Sequence, residues 1–219
     1  MGDGERLGSA VPDSEITTAL FVLGGYLAGS MPFGYWVVRL GKGVDIRTVG
    51  SGNIGATNVW RTFGWRYGLP IVLLDIAKGF VPALVGTIAA GDLAGVLAGS
   101  AAMAGHWRPL FLRFAKGGKT VATAGGVFLG VAPWVGLAGV AVWVAIFVLL
   151  RYASLASMLA AGSLPVVAVL LGEPWPVIVF AAGAAIAVIL LHRPNIARLL
   201  AGTEHRFRLR RAGRQAPAR

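Results

Sequence analysis

The chain has 219 residues, 56% of them hydrophobic and only 13% charged, with a mean hydropathy of +0.72. Soluble domains carry roughly a quarter charged residues, so this composition excludes a water-soluble globule and requires lipid around the molecule. The charge is lopsided, 20 Lys and Arg against 9 Asp and Glu, and cysteine is absent, which excludes disulfides, thiolate metal sites and a thioester nucleophile.

Residues 1–15 form an acidic leader, unlike the basic start of a secretory signal, and are expected outside the membrane. A span needs about 20 apolar residues. The first runs over 16–38 and is stopped by Arg39; 69–90 is the second. Residues 93–103 open a third that ends near His106. The stretch 121–150 is interrupted by Ala132 and Pro133, too long for one upright span and short for two. Residues 154–171 and 174–191 complete the set.

Charge placement decides the ambiguous stretch, because Lys and Arg in short loops mark the cytoplasmic side. Arg39, Lys42, Arg47, Arg61 and Arg66 lie in 39–68, and Arg108, Arg113, Lys116 and Lys119 in 106–119. Arg151 and eight arginines after Leu191 follow. The turns at Gly91-Asp92, Ala132-Pro133 and Gly172-Glu173-Pro174 hold no basic residue. Reading 121–150 as two passes puts every basic loop on one side. The expected fold is all-α and polytopic, with seven transmembrane helices over 16–205, the N-terminus outside and the C-terminus cytoplasmic. Residues 206–219 form a basic tail suited to anionic lipid; no soluble basic module for nucleic acid is visible.

Three cytoplasmic elements carry the chemistry. The first is Val49-Gly50-Ser51-Gly52-Asn53-Ile54-Gly55-Ala56-Thr57-Asn58, followed by Arg61. Its glycines permit tight turns and an anion-binding nest. Ser51, Asn53, Thr57 and Asn58 add neutral donors, and Arg61 a planar fork matched to phosphate. The same composition also makes an ordinary flexible loop. The second is Lys116-Gly117-Gly118-Lys119-Thr120, which imitates a P-loop ending but has Arg113 where that motif needs glycine. A basic turn at a helix start attracts anions; paired lysines enforcing topology explain it equally well.

The third is His192-Arg193-Pro194-Asn195-Ile196-Ala197-Arg198-Leu199, then Gly202-Thr203-Glu204, with His192 and Asn195 on one face if helical. Ser154 and Ser157 share a face at the start of the sixth span, where helix packing is their ordinary role. Asp75 and Lys78 lie three apart inside the bilayer, placed to neutralise each other. There is no His-Glu-x-x-His site, no Gly-x-Ser-x-Gly elbow and no acidic cluster for a metal. No cofactor and no metal are expected. A site built from these elements would be cationic and its ligand anionic.

Together with Gly29-Ser30-Met31-Pro32-Phe33-Gly34, these elements resemble the bacterial acyl-phosphate:glycerol-3-phosphate acyltransferases over about residues 16–207. The resemblance implies transfer of a fatty acyl group from acyl phosphate to the 1-hydroxyl of glycerol 3-phosphate, giving lysophosphatidic acid and phosphate in the first step of phospholipid synthesis. It implies a multi-pass protein of the bacterial cytoplasmic membrane with its site facing the cytoplasm. The implied partners are the two substrates, membrane lipid and, as a docking candidate, the soluble enzyme that makes acyl phosphate.

By the same resemblance Ser51, Arg61, Lys119, His192 and Asn195 are catalytic. Gly50, Gly52, Asn53, Thr57, Asn58, Gly117, Gly118, Ser154 and Ser157 bind substrate, and Glu204 supports local structure. Arg61, Lys119 and Ser157 are expected to hold phosphate oxygens while His192 and Asn195 orient the glycerol hydroxyls. Either His192 or a substrate phosphate oxygen takes the proton. The chain departs from the family pattern at Ala115, an apparent insertion, at Thr120 in place of glycine, and at Leu191 beside the histidine. Two rivals remain. A transporter of small phosphorylated anions predicts polar residues along the spans, and only Asp75 and Lys78 lie well inside. A CDP-alcohol phosphotransferase needs an aspartate cluster holding metal.

Overall fold

The computed structural model describes residues 14–207. The leader, up to Asp13, and the tail beyond Phe207 lie outside the described residues. Among those described there is no strand, in agreement with the all-α expectation.

The expected first span is two helices, α1 (Ser14–Gly29) and α2 (Phe33–Lys42). They part at Ser30-Met31-Pro32, because a proline disfavours helical backbone in the residue before it and has no N–H to continue the ladder. The segment 39–68, expected as loop, is largely structured. It contains the end of α2, a 3-10 turn at Ile46–Thr48, α3 (Ala56–Phe63) and the start of α4 (Trp65–Trp107).

Helix α4 runs 43 residues but breaks where the sequence places a turn, with Ala90 at φ −145° and Gly91 at φ +83°. Gly91 supplies the left-handed backbone that other residues adopt only at a cost. The two limbs fold back on each other. A Cβ added at Gly95 would lie 2.8 Å from the carbonyl oxygen of Ala83, although a straight helix would separate these residues by about 18 Å.

The stretch 121–150 is likewise split, into α5 (Val121–Val131) and α6 (Pro133–Leu150), with Ala132 non-helical between them. Proline at the first position of α6 needs no N–H partner there. Next come α7 (Ala153–Leu170), α8 (Trp175–Leu191) and the short α9 (Arg193–Leu200). Helices α8 and α9 are bent by 58° at His192.

Small residues make the seams between these helices. Gly25 and Gly29 of α1 face Ala98 and Ala102 on the second limb of α4, and Gly126 of α5 faces Ile76 on the first. The core gathers Val127, Phe128, Leu164, Val177 and Phe180, with the Phe128 and Phe180 rings 4.9 Å apart. Outward faces are apolar instead of charged: Leu149 is 70% exposed and Val179 61%, as lipid-facing surface requires. Among the described residues four helical stretches are long and apolar enough to cross a membrane, or five if α8 with α9 is one bent span. Helix α5, at 11 residues, falls short of that length.

Candidate active site

The Gly50–Asn58 loop is stapled by its own side chains. Gly50 and Gly52 take φ +61° and +68°, which explains glycine at both. Asn58, in the first turn of α3, points back into the loop. Its Oδ1 accepts from Ser51 N–H at 2.9 Å, and its Nδ2 donates to the carbonyls of Val49 (3.1 Å) and Asn53 (2.9 Å). Asn53 Oδ1 accepts from Gly55 N–H at 2.8 Å. The two asparagines expected to bind substrate are therefore committed to the loop's shape. Ser51 and Thr57 are exposed, and Arg61 lies half-buried on α3.

The Gly117-Gly118 turn is held from outside. Gly117 N–H donates to the carbonyl of Trp107 (2.9 Å) and Gly118 N–H to that of His106 (3.0 Å). These N–H groups are spent on the last carbonyls of α4, not left open as an anion nest. A side chain at Gly118 would collide with His106 Nε2, and one at Gly117 with the His106 carbonyl. Asn53 Nδ2 reaches the Gly117 carbonyl at 3.3 Å and ties the two turns together. Thr120, which starts α5, does adopt the left-handed backbone at φ +61°, with its hydroxyl buried.

The third element closes the site. Pro194 lies in the first turn of α9, and Asn195 N–H bonds to the His192 carbonyl at 2.8 Å. Gly202, at φ +68°, ends that helix. Thr203 N–H bonds back to the Arg198 carbonyl (2.8 Å) and Gly202 N–H to that of Leu199 (3.2 Å), a Schellman ending. The reversed chain lays Glu204 against its own helix. Glu204 Oε1 accepts from Asn195 Nδ2 (2.7 Å) and Ser154 Oγ (2.8 Å), and Oε2 from Arg198 Nε (2.7 Å). With its amide nitrogen anchored there, Asn195 turns Oδ1 outward, where it accepts from Lys119 Nζ. Lys119, Asn195, Glu204, Ser154 and Arg198 thus form one connected chain drawn from three segments.

Charge follows from this geometry. Burial, then the Arg198 guanidinium, pushes the Lys119 ammonium down to about 8, with Glu204 opposing. Burial, and next Lys119, lowers the His192 imidazole to about 4. His192 is therefore neutral at pH 7; its Nδ1 lies 2.8 Å from the Val188 carbonyl, so that nitrogen carries the proton and Nε2 is left as an acceptor. Burial raises Glu204, but the bonds from Asn195, Ser154 and Arg198 outweigh it and hold the carboxylate below its ordinary value.

Arg61 joins from α3. Glu204 and Arg198 are its charged neighbours, and its guanidinium stands 5.9 Å from the Phe207 ring. Ser157 is less available. Its hydroxyl donates to the Ala153 carbonyl (2.7 Å) and accepts from Trp143 Nε1 (3.0 Å) in the α6–α7 seam, so a phosphate contact requires it to give up the first bond. Arg198, Trp143 and Phe207 were not singled out from the sequence. Arg198 had a signal, since it sits three residues from Asn195 on one helix face; the two aromatics had none. Among the described residues no group of three or more His, Cys, Asp or Glu could hold a metal ion.

A family model described as glycerol-3-phosphate acyltransferase matches residues 19–202. The chain is 46% identical over 186 residues to the glycerol-3-phosphate acyltransferase of Desulforudis audaxviator, covering 85% of this chain and 93% of that one. It is 47% identical over 192 residues to that of Aquifex aeolicus, covering 86% and 99%. Its structure is similar to the crystal structure of PlsY (YgiH), an integral membrane glycerol 3-phosphate acyltransferase. The glycerol 3-phosphate form superposes with a TM-score of 0.84 at 44% identity, over 87% of this chain and 96% of that one. The lysophosphatidic acid form gives 0.81.

Proposed function

The chain belongs to the glycerol-3-phosphate acyltransferase family, and from that premise we propose that it transfers a fatty acyl group from acyl phosphate to the 1-hydroxyl of glycerol 3-phosphate at the cytoplasmic face of a bacterial inner membrane. It is a multi-pass membrane acyltransferase; the comparisons lend nothing to a transporter. The seven-pass reading, with the N-terminus outside, draws support from the folded-back limbs of α4 and the α5–α6 break. Both breaks fall in turns without Lys or Arg, which the positive-inside rule assigns to the side opposite the basic loops.

The observation that carries the mechanism is the Lys119–Asn195–Glu204 chain beside neutral His192. Lys119 and Arg61 hold phosphate oxygens, with the exposed Ser51 at the lip. Asn195 and His192 Nε2 orient the glycerol hydroxyls. The 1-hydroxyl oxygen attacks the acyl carbonyl carbon, the bond from that carbon to the phosphate oxygen breaks, and inorganic phosphate leaves. The developing negative charge is stabilised by the same fixed cations. The hydroxyl proton goes to a substrate phosphate oxygen, because burial and the Lys119 ammonium make the His192 imidazole a poor base. No acyl-enzyme is formed. The exposed basic loops suit an anionic docking partner, such as the soluble maker of acyl phosphate, as well as lipid.

The test is phosphate release by the purified, detergent-solubilised protein given palmitoyl phosphate. Release should require glycerol 3-phosphate, match lysophosphatidic acid mole for mole, and persist with a chelator present. Phosphate release without the acceptor, or no lysophosphatidic acid from folded protein, refutes the reading.

A further inference from the structure

The mechanism leaves unused the most deeply buried charges among the described residues. Asp75 and Lys78 are 2% and 5% exposed, and His106 is 3% exposed. Lys78 Nζ contacts Asp75 Oδ1 at 2.8 Å and donates to the Met31 carbonyl at 3.0 Å, above the Phe33 ring at 5.6 Å. Met31 is at the break between α1 and α2, where its carbonyl accepts from Phe33 N–H at 3.0 Å in place of a helical partner and from Lys78 as well. Asp75 Oδ1 also packs 3.7 Å from His106 Nδ1, on the other limb of α4, beyond hydrogen-bond reach. One ion pair on the first limb therefore touches both the α1–α2 joint and the second limb.

His106 then leads directly to the site. Its carbonyl accepts the Gly118 N–H at 3.0 Å, and its ring occupies the space a side chain at 118 would need. Lys119 is the next residue. Buried ion pairs contribute little net stability compared with apolar residues of the same volume, and charge inside a membrane bundle is costly. Neutralisation alone explains why Asp75 accompanies Lys78; it does not explain the contact with His106 or the seat under Gly118.

We propose that Asp75, Lys78 and His106 are positioning residues for the acyl transfer. They lock the end of α4 against the α1–α2 joint, and so set the seat of the Gly117-Gly118 turn that aims Lys119. The inference rests on the reading of Lys119 as a phosphate donor, and it predicts an effect on glycerol 3-phosphate in particular.

The decisive variant is the double substitution Asp75→Leu with Lys78→Met, which removes both charges at similar volume and leaves no charge unpaired. The expected result is an unchanged melting temperature and a KM for glycerol 3-phosphate raised about tenfold, with kcat changed less than about twofold, as for a displaced binding group. An unchanged KM overturns the proposal. If the double variant does not fold, His106→Ala keeps the ion pair: its melting temperature should fall because it leaves a cavity, while the KM for glycerol 3-phosphate carries the same expectation and the same refutation. Lys119→Ala tests the underlying reading separately: an unchanged KM there refutes the phosphate seat. Hydrogen exchange of the Gly117 and Gly118 amides then still judges the triad. Faster exchange in the double variant supports its hold on the turn, and unchanged exchange overturns it.

Discussion

The two glycine-rich turns read alike in the sequence and are built in opposite ways. The Gly50–Asn58 loop supports itself: its glycines take positive φ, and Asn58 satisfies three backbone groups within nine residues. The Gly117-Gly118 turn depends on a distant partner. Its glycines are there because the end of α4 passes too close for a side chain. A glycine-rich motif thus reports that the backbone needs room or freedom, but not which of the two, nor that its N–H groups await an anion.

Substitutions can sharpen or break this contrast. Asn58→Ala should do the most damage, since it orphans the Ser51 N–H and the Val49 and Asn53 carbonyls together. At about 1 kcal/mol or more for each, the loop should lose its shape and activity should fall about a hundredfold, as measured by lysophosphatidic acid formed per folded protein. Wild-type activity in this variant would mean the loop is not self-supported. Gly118→Ala comes next. Forcing a methyl against the His106 ring should cost about 1–3 kcal/mol in chemical denaturation, and the KM for glycerol 3-phosphate should rise with it. Equal stability would show that the turn tolerates a side chain.

The pH dependence separates the turns without mutation. The Lys119 ammonium, held at about 8, is charged below that pH and neutral above it. kcat/KM for glycerol 3-phosphate, which reports the free enzyme, should therefore fall about tenfold per unit as pH rises beyond about 8. The Arg61 side chain of the first element stays charged throughout. A flat profile to pH 9 would remove Lys119 from phosphate binding. Asn53→Ala cuts the 3.3 Å bond between the turns and with it the 2.8 Å bond from Gly55 N–H, and should lower kcat/KM about fivefold, in line with two hydrogen bonds. The smallest effect is a gain. Thr120→Gly relieves a β-branched residue at φ +61° and removes a buried hydroxyl without a hydrogen-bond partner among the described residues. It should raise stability by about 1 kcal/mol, and a fall would show that the Thr120 hydroxyl is used.

Much of this fold is legible in one dimension. Apolar stretches and their breaks at Gly91, Ala132 and Gly172 are local properties, and α4 through α8 end close to where hydropathy ends them. The structure of 39–68 was hidden because α2 and α3 carry polar residues on one side and mimic a loop. In the site, Lys119, His192 and Asn195 were readable as candidates for binding and catalysis, and Glu204 as a support for local structure. The helix end that presents Glu204 was half-readable, from Gly202 two residues earlier. Ser157 shows the limit. Nothing around it signals that Trp143, fourteen residues before it and on another helix, would claim its hydroxyl.

The sequence by itself therefore determined the membrane class, the apolar helical segments from α4 to α8, the breaks at Gly91, Ala132 and Gly172, and most of the chemically able residues, because each follows from polarity or backbone freedom over a few neighbours. Only the tertiary structure decided which of those residues remain free to act. The Asn195 side chain meets Lys119 across 76 positions, and Gly118 lies on His106. A hydrogen bond is consumed by whatever partner folding brings near, however far off it stands in the chain.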